Sequence, residues 1–278
     1  MQKRLSRGSR IGLAALALGI AAALVGCAPG ANTDEPTEDT LETQASELSG
    51  ELTVFAAASL EPAFIQLSES FTELHPDVTF AFTFDGSSGL ATQILGGAPV
   101  DVFASADEPN MLKVTDEGLN EGEPIAFATS ELAIAVAPGN PFGIESLADL
   151  VEPGPDGTVP VTVICAPEVP CGNASHTLLD RDGVELTPAS EEQNVSAVLT
   201  KVREGEADAG LVYLSDVLRA DGEVEGVSIE NASEAAGDYL IVPLAGAASP
   251  EAARAFAEFL LTDEAQALFA ELGFGPAR

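Results

Sequence analysis

From about residue 51 onward, two periodicities alternate along the chain. Short runs read apolar at every second position or are apolar throughout. Between them lie longer stretches whose apolar residues recur every three or four positions. Residues 51–56 form the first strand-like run. Phe64, Leu67, Phe71 and Leu74 then mark one face of a helix. Pro62 sits in its first turn, where a missing N–H does no harm, and His75-Pro76 ends it. Residues 78–84, VTFAFTF, alternate as a second strand. Ser87 or Ser88 then caps a helix bearing Leu90, Ile94 and Leu95, closed by Gly96-Gly97. Further strands are predicted over 100–104, 131–138, 161–167, 210–214 and 239–246, and a last helix over 250–261. The alternation predicts an α/β protein with largely parallel strands. The Pro- and Gly-rich segment 151–160 reads as an exposed connector.

The first 27 residues belong to a different pattern. Lys3, Arg4, Arg7 and Arg10 precede the uncharged run IGLAALALGIAAALVG, and Cys27 follows at once. The run is short for a membrane span. Leu24-Val25-Gly26-Cys27 resembles a bacterial lipobox, which implies cleavage before Cys27 and lipid attachment to it. An ordinary secretory signal or an N-terminal anchor is the alternative. All three place the mature protein outside the cytoplasm. Residues 28–49 are rich in Pro, Thr, Ser, Asp and Glu and read as a flexible acidic tether.

Composition narrows the partners. The 278 residues carry a formal charge of −34. Such a chain does not bind nucleic acid or an anionic surface by bulk attraction. Any anion it holds must be held by local donors. Cys165 and Cys171 lie six positions apart; outside the cytoplasm, a small disulfide loop is the favoured reading. A metal or reactive thiol is the alternative. Zinc is disfavoured, because no second C-x-x-C is near and His176 is the only neighbouring histidine.

Four segments share one design, a small or polar stretch after a strand and at a helix start. They are AAASLEP around Ser59, DGSSGL around Ser87, PEVPCGNAS around Cys171 and EEQNVSAVL around Val195. Helix N-termini present unpaired N–H groups and a partial positive charge, so several converging ends make an anion site without Lys or Arg. Each serine alone is more simply a cap. Tyr213 ends the strand in ADAGLVYLSD and adds a hydroxyl. The bare methyl groups of Ala56, Ala57 and Ala58 would let backbone approach a ligand closely.

Catalytic patterns are weak. GSSG at 86–89 is no G-x-S-x-G elbow, and neither His75 nor His176 has a triad setting. Asp180-Arg181-Asp182-Gly183 departs from a calcium loop after the glycine.

TVFAAASL, SSGLATQILGGAPVDVFASAD, PEVPCGNAS, EGEADAGLVYLSD and AQALFAELGF, in this order, resemble the periplasmic molybdate-binding proteins of ABC transporters. The resemblance runs through nearly all of 51–274. It implies a type II periplasmic-binding-protein fold, two α/β lobes with a ligand cleft between them. The first lobe would be discontinuous, 50–128 and 241–278, and the second would span 129–240. It further implies that molybdate or tungstate is held by the hydroxyls of Ser59, Ser87 and Tyr213 and by the backbone N–H groups of Cys171 and Val195. Cys stands at 171 where the family usually has Ala, and Thr92 where Arg is common. Implied partners are a membrane permease and its cytoplasmic ATPase, with the protein a lipid-anchored monomer that needs no cofactor and is not an enzyme. Molybdenum would enter only as the oxyanion, with no protein ligand to the metal.

Physical chemistry agrees with a donor-only site. Molybdate is a dianion that presents only acceptors, so charge-assisted hydrogen bonds suit it and a carboxylate beside it is costly. None of the four segments places a carboxylate in the binding position; Asp85 and Glu61 are merely close in sequence. Sulfate, a serine hydrolase built on Ser59 or Ser87, and an anion sensor are the competing readings.

Overall fold

The structure is a computed structural model that describes residues 48–235 and 237–278. The lipobox cysteine Cys27 and nearly all of the predicted tether lie outside the described residues. Ser49, expected as the tether's last residue, already pairs with Asp77.

The chain builds two five-stranded sheets. The first contains β1 (Ser49–Ala57), β2 (Asp77–Asp85), β3 (Val102–Ser105), β4 (Ile125–Ser130) and β10 (Gly237–Pro243). Their spatial order is β2-β1-β3-β10-β4, with β1 parallel to β2 and β3, and β10 antiparallel to both its neighbours. The second contains β5 (Leu132–Val136), β6 (Thr162–Cys165), β7 (Ser190–Glu192), β8 (Ala209–Tyr213) and β9 (Glu225–Ser228). Its order is β7-β6-β8-β5-β9, with β6 parallel to β7 and β8, and β5 antiparallel to β8 and β9. The two sheets are built on one plan: three parallel strands, then an antiparallel one, then an edge.

The helices follow from the same strands. In the first lobe they are α1 (Glu61–Leu74) after β1, α2 (Ser87–Leu95) after β2 and α3 (Glu108–Thr115) after β3. In the second they are α4 (Pro170–Asp182) after β6, α5 (Val195–Arg203) after β7 and α6 (Leu214–Arg219) after β8. Two helices close the chain, α7 (Pro250–Phe259) and α8 (Asp263–Glu271). The helix predicted over 250–261 corresponds to α7, and the pattern left α8 unassigned; its N-cap Thr262 accepts the Ala265 N–H at 3.3 Å. It also missed β4 and β9. β4 follows a Gly- and Pro-bearing stretch, and β9 carries no large apolar run.

The chain leaves the first sheet after Ser130 and returns at Gly237, so Ala128 and Leu240 both lie inside first-sheet strands rather than at the crossings. β4 and β10 pair past those points, which puts the crossovers two residues later on β4 and three residues earlier on β10.

The cores differ in material. Of the 13 phenylalanines, only Phe142 belongs to the second lobe. Phe64 and Phe71 meet Phe256 edge-on, with centroids 5.7 and 5.4 Å apart. On the other face of the first sheet, Phe55, Leu90, Phe103 and Met111 form a second buried layer. The second lobe packs Val, Ile and Leu, including Ile164, Leu178, Val198 and Leu211.

Candidate anion-binding site

Every helix that starts at the cleft starts just beyond the carboxyl end of a parallel strand. That is where open α/β sheets bind ligands, because neighbouring connections diverge there. One small cavity lies at this point. Ser59, Ser87, Cys171, Val195 and Tyr213 all line it, with Ala57, Ala58, Asp85, Gly86, Ala106, Val169 and Pro170. All five sequence-derived candidates are thus brought together.

Each reaches the cavity for a local reason. β1 ends at Ala57, and Ala58–Leu60 form a single 3-10 turn before α1, so Ser59 is held at the strand's end. Ala58 also belongs to the second lobe's hydrophobic cluster, although its chain segment belongs to the first. A methyl group there lets the lobes meet. Ser87 is the first residue of α2 and does not cap it; the N-cap is Gly86, and no side chain caps this end. The expected Ser87 or Ser88 cap is therefore corrected. Gly86 lies so close to Gln193 of the other lobe that a Cβ would collide with the Gln193 carbonyl.

In the second lobe, Pro170 occupies the first turn of α4 and Val169 is its N-cap. Gly172 N–H is already bonded to Val169 O at 2.9 Å, which leaves the Cys171 N–H at the open end. Cys165 and Cys171 form a disulfide that ties the end of β6 to this first turn. Gly172 has no room for a side chain, since a Cβ would strike the Ala166 carbonyl. α5 is capped by Asn194, whose Oδ1 accepts the Ala197 N–H at 2.9 Å, so Val195 is its first residue.

The hydroxyls are placed by hydrogen bonds that sequence did not show. Ser87 Oγ accepts the Ala106 N–H at 3.1 Å. Ser59 Oγ lies 2.9 Å from the hydroxyl of Tyr239, a fully buried residue on β10. In the sequence Tyr239 is one strand residue of YLIVPLAG. Its one visible signal is a hydroxyl in an otherwise apolar run. A β-bulge separates it from Leu240, the kind of irregularity that re-aims a side chain beside a site.

Carboxylates are closer than the sequence suggested. Asp85 lines the cavity. Its Oδ1 accepts the Gly86 N–H at 2.8 Å and Asn194 Nδ2, from the other lobe, at 2.7 Å. Asp85 is thus a cross-cleft link with that oxygen engaged. Asp107 is buried behind the site, held by Asn110 and Ser105, and burial pushes its carboxyl above the usual range. Burial, with nearby Tyr239, Asp107 and Asp216, pushes the Tyr213 phenol well above its ordinary 10.0. Burial raises Tyr239 in the same direction. Both phenols stay protonated at any ordinary pH, so they serve as donors.

Neither His75 nor His176 lines the cavity. His75 packs on the ring of Phe71, centroids 4.6 Å apart. No group of three or more His, Cys, Asp or Glu among the described residues is arranged to hold a metal ion.

The family of bacterial extracellular solute-binding proteins matches residues 52–275. This chain belongs to that family. As a member it has the two-lobed type II fold and works outside the cytoplasm. Among its relatives, the molybdate-binding protein ModA of Mycobacterium tuberculosis (strain H37Rv) is 40% identical over 255 residues, which cover 92% of this chain and 94% of that one. The protein of the same name from Escherichia coli (strain K12) is 29% identical over 81% of this chain and 89% of its own. Among solved structures, the periplasmic molybdate-binding protein of Azotobacter vinelandii superposes with a TM-score of 0.69. It has 22% identity and covers 82% of this chain and 100% of the other. At that identity the likeness speaks for the shared fold alone.

Proposed function

We propose that this solute-binding protein captures molybdate or tungstate outside the cytoplasm and delivers it to an ABC transporter permease driven by its ATPase. The observation that carries the reading is the meeting of five neutral donor positions from both lobes in one small cavity. In this reading the hydroxyls of Ser59, Ser87 and Tyr213 and the N–H groups of Cys171 and Val195 hold the oxyanion. Residues 49–130 with 237–278 act as one closing lobe and the intervening segment as the other, with the crossings after Ser130 and at Gly237. Cys27 carries the lipid that tethers a monomeric protein to the membrane. The site binds and does not catalyse, since no histidine lines it to serve as a general base for Ser59 or Ser87.

The 40% identity to a protein named for molybdate supports this choice of anion. So does the chemistry. The cavity offers donors, and Asp85, the carboxylate among its lining residues, already has two donors on its Oδ1. A hydrogen phosphate would need an acceptor for its proton; a fully deprotonated dianion does not.

Titration calorimetry against molybdate, tungstate, sulfate and phosphate tests the proposal. Molybdate and tungstate are expected to bind far more tightly than the other two. Sulfate or phosphate binding as tightly as molybdate defeats the specific claim. Ser87→Ala is expected to weaken molybdate binding by about 1–3 kcal/mol with the fold intact.

A further inference from the structure

The two serines of the site have different partners. Ser87 Oγ receives the Ala106 N–H at 3.1 Å. A backbone N–H can only donate, so the Ser87 proton is left free to point elsewhere. Ser59 Oγ faces the Tyr239 hydroxyl at 2.9 Å, and either oxygen can be the donor. This difference matters for a ligand made only of acceptors. A serine hydroxyl has one proton. If Ser59 gives it to Tyr239, the serine turns lone pairs toward the anion. If Tyr239 donates to Ser59, the serine proton is available to the cavity.

We infer that Tyr239 is a positioning residue whose phenol O–H donates to Ser59 and thereby fixes the Ser59 hydroxyl as a donor to the bound anion. The inference rests on the function proposed above. Three observations single out this residue. Tyr239 does not line the cavity, whereas Tyr213 does, so the Tyr239 proton has no competing use at the ligand. Tyr239 is completely buried, so no bulk water can take that proton. Its ring is held by edge contacts to Phe127, Phe274 and Tyr213, at 6.2, 5.4 and 5.9 Å. The phenol is therefore held in place by packing, with the Ser59 hydroxyl at 2.9 Å as its hydrogen-bond partner and the Tyr213 hydroxyl, which keeps its own proton for the cavity, as its other polar neighbour. Ser59 and Ser87 then follow one rule: each accepts one bond from a buried donor and points its own proton at the ligand. At Ser87 that donor is main chain. At Ser59, on the strand end stripped to alanines, it comes from β10, the strand by which the chain returns to the first sheet.

The test is a double-mutant cycle on the full chain, read by calorimetry with molybdate and by thermal unfolding without it. Tyr239→Phe removes one oxygen and keeps the ring. It is expected to weaken molybdate binding about 5- to 20-fold in the otherwise unmodified chain. In a Ser59→Ala background the same change is expected to alter affinity less than 2-fold, because no serine proton remains to be directed. A purely structural tyrosine predicts lowered melting with unchanged affinity, or equal affinity losses in both backgrounds; either result overturns the inference.

Should Tyr239→Phe fail to fold, the unmodified chain still decides the matter. Its two tyrosines are Tyr213 and Tyr239. With phenol carbons labelled for NMR, molybdate must shift both signals, and Ser59→Ala must abolish the Tyr239 shift while leaving that of Tyr213. A Tyr239 signal unmoved by molybdate overturns the inference. If the unmodified chain binds none of the four anions, the functional reading falls and this inference falls with it. Tight binding with an indifferent Tyr239 removes the inference alone.

Discussion

The two lobes share one strand plan and use it differently. In the first, the strand ends deliver serines, Ser59 after β1 and Ser87 after β2. In the second, the matching ends deliver main-chain N–H groups, at Cys171 after β6 and Val195 after β7. The third matching ends are Ala106 after β3 and Tyr213, the last residue of β8. Ala106 gives its N–H to Ser87, while Tyr213 offers a phenol to the cavity. The stabilising material differs as well. The first lobe is bound by a phenylalanine lattice. The second has an aliphatic core and a disulfide at the turn that brings Cys171 to the cavity. The same topology therefore supports two ways of making an anion donor. A hydroxyl needs a partner to orient its proton. A main-chain N–H needs only a helix end held in place, and Gly172, Pro170 and the disulfide hold that end.

The largest expected effect breaks the first lobe's lattice. Phe64 is fully buried and meets Phe82, Phe127 and Phe256. Phe64→Ala is expected to lower stability to denaturant by about 3–5 kcal/mol. A loss below about 1 kcal/mol would mean that the phenylalanines are not what holds this lobe together.

Next comes the seam between the lobes. Gly86→Ala places a methyl group against the Gln193 carbonyl across the cleft. Its backbone, at φ −61°, suits alanine, so the lobe itself should fold. Molybdate affinity is expected to fall about 100-fold, near 2.7 kcal/mol, while the melting temperature without ligand changes little. Equal losses in both would show that Gly86 serves folding and not closure.

The disulfide sharpens the second lobe's side of the comparison. Replacing Cys165 and Cys171 together by serine is expected to lower stability by about 2 kcal/mol, as for a short closed loop. Molybdate affinity should fall too, because the Cys171 turn loses its tie to β6. Unchanged affinity in calorimetry would mean that Gly172 and Pro170 suffice to hold the turn.

The smallest effect is alkaline. Below about pH 10 both phenols are protonated in the folded and the unfolded chain alike. Above it, unfolded tyrosine ionises while buried Tyr213 and Tyr239 do not, because their folded values are raised. Stability must therefore fall as pH rises, by about 1.4 kcal/mol per phenol near pH 11. Tyr213→Phe should flatten that part of the melting-temperature profile, and an unaltered slope would place the tyrosine elsewhere than in the buried pair.

Much of the framework was legible along the chain because period and punctuation are local. The alternation in VTFAFTF shows a strand, and Pro62 and Gly96 mark helix ends. The segments around Ser59, Ser87, Cys171 and Val195 stood out because each sits at a strand-to-helix junction, and the resemblance singled out these four residues and Tyr213. β9 escaped because EGVS has almost no apolar pattern, and α8 because its N-cap Thr262 follows α7 too closely to look like a new start. Tyr239 escaped because a tyrosine in a buried strand looks like any core aromatic.

By itself, then, the sequence determined which residues end strands and start helices, and so which N–H groups and hydroxyls would be exposed at those ends. These are properties of a residue and its near neighbours. Only the tertiary structure decided that the ends meet in one cavity, that Asp85 faces it while holding Asn194 of the other lobe, and that Tyr239 stands behind Ser59, 180 positions away. A hydroxyl's direction depends on the donor beside it. In this fold that donor arrives on a strand that returns from the opposite lobe, and local sequence carries no record of that.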